Sequence, residues 1–400
     1  MIQCRNGAPA RRGVDDVSRE TFTAERRTAP RAGRLASLAL LVLAVSGILL
    51  TACTSIASPR GWASPVQGDD LLLISYREDL FALDPETLIQ RWIFPTGSEA
   101  DKVDPVALYG TPAVLGDTVF VPTYKGNLYA LDIETGLVLP GWPFETDGPL
   151  IGGIAVASDT VYFGSDDGNV YALNATTGIE LWAQPFETGK GVWSTPAIVG
   201  DTLYVTSLDG KLYAINAATG IERWSFTTDA GIASPPVVNE GAGLVYIGGL
   251  DSELRAIDLE THEERWSLKA DNWFWTEPLL AAGSIFAGSL DGNVYAIDAV
   301  SGEARWARPF SAGELVRAAP IVVGDTIIIV DRKGNVHGID IENGSRTLGP
   351  FALESDVLTD PLLRKFSGTE EIIIVTTDGE LVSIDPATLR VLASRKLKES

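Results

Sequence analysis

One stretch recurs along almost the whole chain, and its period restricts the fold more than any other feature. Residues 167–182 read DGNVYALNATTGIELW. Asp167-Gly168 is a hairpin turn, because Gly reaches the positive φ that a tight two-residue loop demands. Residues 170–173 form a short apolar run, as expected of a strand packed on both faces. Asn174 opens a second turn that closes at Thr177-Gly178, its side chain folding onto the backbone. Trp182 falls on the next strand. The position of Ala172 recurs as Ala82, Ala130, Ala214, Ala256, Ala296, Gly338 and Ser383, at intervals of 48, 42, 42, 42, 40, 42 and 45 residues. A period in this range marks a repeat architecture.

Each copy has an upstream half, clearest in residues 196–207, PAIVGDTLYVTS, and repeated in 112–123 and 320–331. It returns more loosely at Pro236, Pro278 and Pro361. A unit therefore holds four short strands: after the Pro, after Gly-Asp-Thr, after Asp-Gly, and around the Trp. No unit contains a segment of helical periodicity, which excludes a helical solenoid. Four-stranded antiparallel units at this spacing predict an all-β, eight-bladed β-propeller. A closed ring also explains how the 348 residues from Cys53 onward can form one domain, since its core is a set of inter-blade seams, not one large interior.

The motifs Gly-Asp-Thr-Leu-Tyr-Val, Asp-Gly-x-Leu-Tyr-Ala-Ile-Asn, Thr-Gly and Trp resemble the pyrroloquinoline-quinone-like (PQQ-like) propeller repeat, from about Trp62 to the C-terminus. That family includes large quinoprotein dehydrogenases and smaller non-enzymatic lipoproteins of the BamB-like, outer-membrane barrel assembly branch. The chain resembles the second branch. The resemblance implies that Trp92, Trp142, Trp182, Trp224, Trp266 and Trp306 are docking residues wedged between neighbouring blades. Blade seven has Leu348 at that position and blade eight Ala393. Blade one replaces the hairpin Asp-Gly with Arg77-Glu78, while blade five uses Asp251-Ser252 and places His262 at its second turn. Atypical terminal repeats point to a closing seam between blades eight and one.

Residues 1–52 have the layout of a signal peptide: eight basic residues, then an uncharged apolar run over 35–50. That run is short for a membrane span, which needs about 20 residues. It ends in Leu50-Thr51-Ala52-Cys53, which resembles a lipobox and implies lipidation at Cys53 after cleavage. Residues 53–61 then form the lipidated N-terminus and tether, and 62–400 the propeller. Without residues 1–52, the 31 basic and 53 acidic residues fall to 23 and 49, a net charge of −26. Such a surface repels phosphate backbones, which disfavours nucleic-acid binding.

The inventory for catalysis is thin. The two histidines, His262 and His337, sit on repeat positions, and no His-based triad or zinc site can be assembled from them. The cysteines are Cys4 and Cys53 alone, so the adjacent Cys pair of the quinoprotein branch is missing. Residues 165–169, SDDGN, fall short of a calcium loop because a strand begins where the terminal acidic ligand would stand. No metal, cofactor or catalytic residue is expected.

One position gathers large side chains. Three residues before the inner-strand Pro, successive blades carry Trp62, Tyr109, Ile151, Trp193, Ala233, Trp275, Arg317 and Leu358. Propeller topology collects this position on one face, around the channel mouth. Aromatics and Arg dominate protein interfaces, so Trp62, Tyr109, Trp193, Trp273, Trp275 and Arg317 are candidate partner-binding residues, with 272–275, Asn-Trp-Phe-Trp, the most apolar loop. The same residues would also serve to plug the channel. The expected function is a non-catalytic, lipid-anchored scaffold of the cell envelope, monomeric, with an envelope protein as partner. A ligand- or carbohydrate-binding surface lipoprotein is the alternative, and a PQQ-dependent oxidoreductase is less favoured.

Overall fold

The computed structural model describes residues 61–68, 70–95, 107–366 and 368–398; Cys53 and the residues expected to form a signal peptide and tether before residue 61 lie outside them. The described residues form eight four-stranded antiparallel sheets, over 66–94, 113–145, 155–187, 197–227, 237–269, 279–311, 321–352 and 362–396. In every sheet spatial order follows chain order. This is an eight-bladed β-propeller in which each blade is one contiguous stretch of sequence.

Blade four shows how the repeat folds. Its strands are Ala197–Val199, Thr202–Thr206, Lys211–Asn216 and Glu222–Thr227. The second strand is buried along its whole length and the third everywhere but its ends, because neighbouring blades cover both faces. Asp209 Oδ1 accepts the Lys211 N–H and Oδ2 the Tyr213 hydroxyl, at 3.0 and 2.6 Å, while Gly210 takes a φ of 86°. Asn216 Oδ1 accepts the N–H groups of Ala218 and Thr219. Both turns are thus closed by short polar side chains beside a left-handed glycine.

The tryptophans cross the seams. Trp92, Trp224 and Trp266 stand opposite the small residue of the third strand, as in Ala214↔Trp224 and Ala256↔Trp266, and all six pack on the second turn of the following blade. The indole N–H of Trp92 donates to Ile133 O at 2.7 Å, Trp182 to Ala217 O at 2.9 Å, Trp266 to Ala299 O at 3.0 Å and Trp306 to Ile341 O at 3.1 Å. The glycine of that turn is there for space as well as φ: a Cβ on Gly220 would stand 2.6 Å from the Trp182 ring. Where His262 replaces the glycine, its imidazole stacks on Trp224 at 4.7 Å.

The fourth strands differ from the sequence expectation. Trp142, Trp182 and Trp306 precede theirs, which are only Phe144–Glu145, Phe186–Glu187 and Phe310–Ser311. Pro143, Pro185 and Pro309 explain this, since a proline has no N–H to give the ladder. In blades four and five Ser follows the Trp, and the outer strands run to six residues.

The ring closes between blades eight and one without exchanging a strand. Leu72, Ile74, Tyr76, Phe81, Leu83 and Leu88 of blade one share a core with Ile373, Val375, Leu381 and Leu397. Buried Arg364 donates to Pro85 O and to Glu371, and Arg395 donates to Leu88 O.

Candidate functional site

The loops between blades and the hairpins joining second to third strands share one face, by the up-and-down order of the strands. Each inter-blade loop descends to the axis just before the inner strand, and two tiers of side chains line the lumen there. The upper tier lies three residues before the proline position and the lower tier one residue before it. Together they enclose a cavity of about 270 Å³.

The upper tier is a lid. Trp193 and Trp275 meet edge to face at 6.2 Å. The Arg317 guanidinium lies 4.5 Å above the Trp62 ring and 5.1 Å above that of Trp275, linking blades one, six and seven by cation–π contact. The Trp193 indole donates to Asp166 Oδ1 at 2.6 Å. Trp62, Trp193, Trp275 and Arg317 all line the cavity and are half-buried. Tyr109 is buried between Trp62, at 4.2 Å, and Tyr124, at 4.9 Å. Trp273 stands apart from the ring: it is 43% exposed, while its neighbour Phe274 enters the core. The Trp273 carbonyl accepts the Leu290 N–H at 2.9 Å, tying its loop to the next hairpin. Of the six candidate residues, four therefore surround one lumen, one supports it from beneath the surface, and one faces solvent.

The lower tier holds charges that the sequence reading passed over. At this position most blades carry Ser64, Thr111, Gly153, Thr195, Pro235 and Ala319, but blade six has Glu277 and blade eight Asp360. Asp360 accepts the Ser64 hydroxyl at 2.8 Å and the Ala319 N–H at 2.6 Å. Burial pushes its carboxyl up, against the pull of these bonds and of Arg317. Glu277 makes no hydrogen bond or ion pair with the other described residues. Its carboxylate is open to solvent within the lumen, yet the surrounding walls and the charge of Asp360 push it up to about 7. Burial also draws the Arg317 guanidinium down. The available signal was an acid at a repeat position otherwise small and neutral.

The family model described as outer membrane protein assembly factor BamB matches residues 44–191, 166–245 and 233–396. The chain belongs to that family. Among solved structures it is similar to the crystal structure of BamB from Moraxella catarrhalis, at 18% identity over 79% of this chain and 92% of that one, with a TM-score of 0.65. It is also similar to the computationally designed Ika8 protein, at 17% identity over 72% of this chain and 86% of that one, TM-score 0.62. At these identities the likeness is one of fold. No curated protein sequence matches the chain.

The opposite face of this BamB-family propeller carries a second asymmetry. After the second turn, blades one to four present Ile89, Leu137, Ile179 and Ile221, each more than half exposed. Blades five to eight have Glu263, Glu303, Ser345 and Arg390 there. Of the histidines, His262 stacks on Trp224 at an exposed turn, and His337 is buried between Asp331 and Arg346. Asp167 of the would-be calcium loop is spent on Asn169 N–H and the Tyr171 hydroxyl. Among the described residues no group of three or more His, Cys, Asp or Glu is placed to hold a metal ion.

Proposed function

We propose that this chain is a non-catalytic, lipid-anchored scaffold of the cell envelope that holds a protein partner of outer-membrane protein assembly on the channel-mouth face of its propeller. Membership of the assembly-factor family carries this reading. The concentration of aromatic side chains on one face supports it, because a few desolvated aromatic anchors supply most of an interface's energy. Trp273 is the anchor most available to a partner, and Trp193 and Trp275 add the half-buried aromatic surface of the lid. The lipobox-like residues ending at Cys53 support an anchor at the membrane surface, with the propeller held on the tether. Cross-linking in the native envelope followed by purification tests the proposal: recovery of barrel-assembly components with the wild-type protein is expected, and recovery of none under conditions that preserve other envelope complexes overturns it.

A further inference from the structure

We propose that the channel cavity beneath the aromatic lid is a binding site for a small organic cation of the alkylammonium class. Three charged side chains line it: Arg317, Glu277 and Asp360. Arg317 and Asp360 offset one another electrostatically, and Asp360 is further held by Ser64 and Ala319. Glu277 has no counter-charge, so the lumen carries one uncompensated negative charge whenever Glu277 is ionised. A carboxylate set among these walls gives up part of its hydration without a partner to replace it, and a cation beside it offsets that loss.

The walls narrow the class of cation. Trp62 and Trp275 already hold one organic cation, the Arg317 guanidinium, and Trp193, which also lines the cavity, presents aromatic surface of the kind that attracts ammonium groups through the ring quadrupole. A bare metal ion would need several oxygen ligands, and no three acidic, His or Cys side chains converge among the described residues. A cavity of about 270 Å³ admits a compact ammonium ion. The groups facing Glu277 are few: Asp360 from blade eight and Arg317 from blade seven, with Ser64, Thr111, Gly153, Thr195 and Pro235 contributing no charge. Arg317 sits one tier higher with its guanidinium face against two indoles, so it forms part of the roof and does not neutralise Glu277.

Binding follows Glu277 ionisation, and affinity rises with pH through neutrality. The test uses the purified full-length protein titrated with n-butylammonium and tetramethylammonium, read by calorimetry and tryptophan fluorescence at pH 8 and pH 5.5, with butanol and butyrate as neutral and anionic controls. One saturable site is expected for the ammonium probes, about tenfold tighter at pH 8 than at pH 5.5. Glu277→Gln is expected to weaken binding at pH 8 about tenfold and to remove the pH difference, while Glu277→Asp keeps part of both. Melting temperatures of the variants establish that they are folded. Absence of saturable ammonium binding to the wild type at pH 8 overturns the proposal. Equal binding by folded Glu277→Gln, or equal binding of butanol, also overturns it.

Discussion

The guanidinium of Arg364, in the last blade, donates to the carbonyl of Pro85, in the first. Pro85 follows the Asx residue of its turn, as do Ile133, Ala217, Ala299 and Ile341, whose carbonyls accept indole N–H groups at the regular seams. Blade eight has no tryptophan to offer, and an arginine from its first strand reaches the same acceptor. The closing seam thus satisfies the same carbonyl by a different route.

Arg364→Ala should therefore loosen the closing seam. It removes the donor to Pro85 and the ion pair with the half-buried Glu371, whose carboxylate keeps the Ser383 hydroxyl, a loss of about 2–3 kcal/mol. Lys365→Ala, which removes only the solvent-facing pair with Glu370, should stay within about 0.5 kcal/mol. Urea unfolding of both variants makes the comparison, and equal midpoints would show that Arg364 does not close the ring.

At a regular seam the two contributions of tryptophan can be separated. Trp182→Ala is expected to cost about 3–5 kcal/mol, as for other large buried aromatics. Trp182→Phe keeps most of the apolar contact and loses the bond to Ala217 O, for about 1 kcal/mol. Trp224 is more exposed and makes no such bond, so Trp224→Ala should fall below Trp182→Ala. Thermal unfolding reports the order, and a larger loss at Trp224 would contradict it.

These seams also mark what could be read in the sequence. Blade number and strand order were legible because the same turn chemistry recurs with the same period, and the ring of residues before each proline follows from topology alone. Arg364 was not legible, since it is a single departure from the repeat at a different strand. Glu277 and Asp360 lie 83 positions apart in sequence and become neighbours only when the ring closes. The shortened outer strands do not follow from the repeat, because Pro143, Pro185 and Pro309 are local departures that interrupt three otherwise equivalent units.

Lumen burial gives stability a distinctive pH dependence. Glu277 is raised from 4.5 to about 7 in the folded protein. The native state therefore binds the proton more tightly than the unfolded chain, and stability falls as pH rises from about 4.5 through about 7. Glu277→Gln should flatten this window and stabilise the protein at pH 8 by about 1 kcal/mol, after allowing for solvent screening in the lumen. Turn carboxylates such as Asp132, Asp258 and Asp298, lowered chiefly by hydrogen bonds in their own turns, act oppositely, losing their contribution as the pH falls through their depressed values. The difference between wild type and Glu277→Gln removes that background. A constant difference from pH 4 to pH 8 would refute the assignment.

The anchor is tested apart from the propeller. Cys53→Ser is expected to abolish incorporation of labelled fatty acid and to release the protein from the membrane fraction or leave it uncleaved. Label retained on the Ser variant would place the modification elsewhere.

The partner surface is separated from the lid by the different burial of its tryptophans. Trp273 is exposed on the rim, so Trp273→Ser should leave stability within about 0.5 kcal/mol of wild type. If Trp273 is an interface anchor, the same change should weaken partner capture at least about tenfold, the scale of a hot-spot residue. Trp193 and Trp275 are half-buried and touch each other, so the double change Trp193→Ser, Trp275→Ser should reduce both stability and capture. That double variant alone cannot distinguish a lost contact from a loosened lid, which makes Trp273 the decisive position. Ile179→Ser, Ile221→Ser supplies the comparison on the opposite face, where both side chains are exposed. Undiminished capture by Trp273→Ser together with loss in the isoleucine variant would transfer the partner surface to the second-turn face of blades three and four.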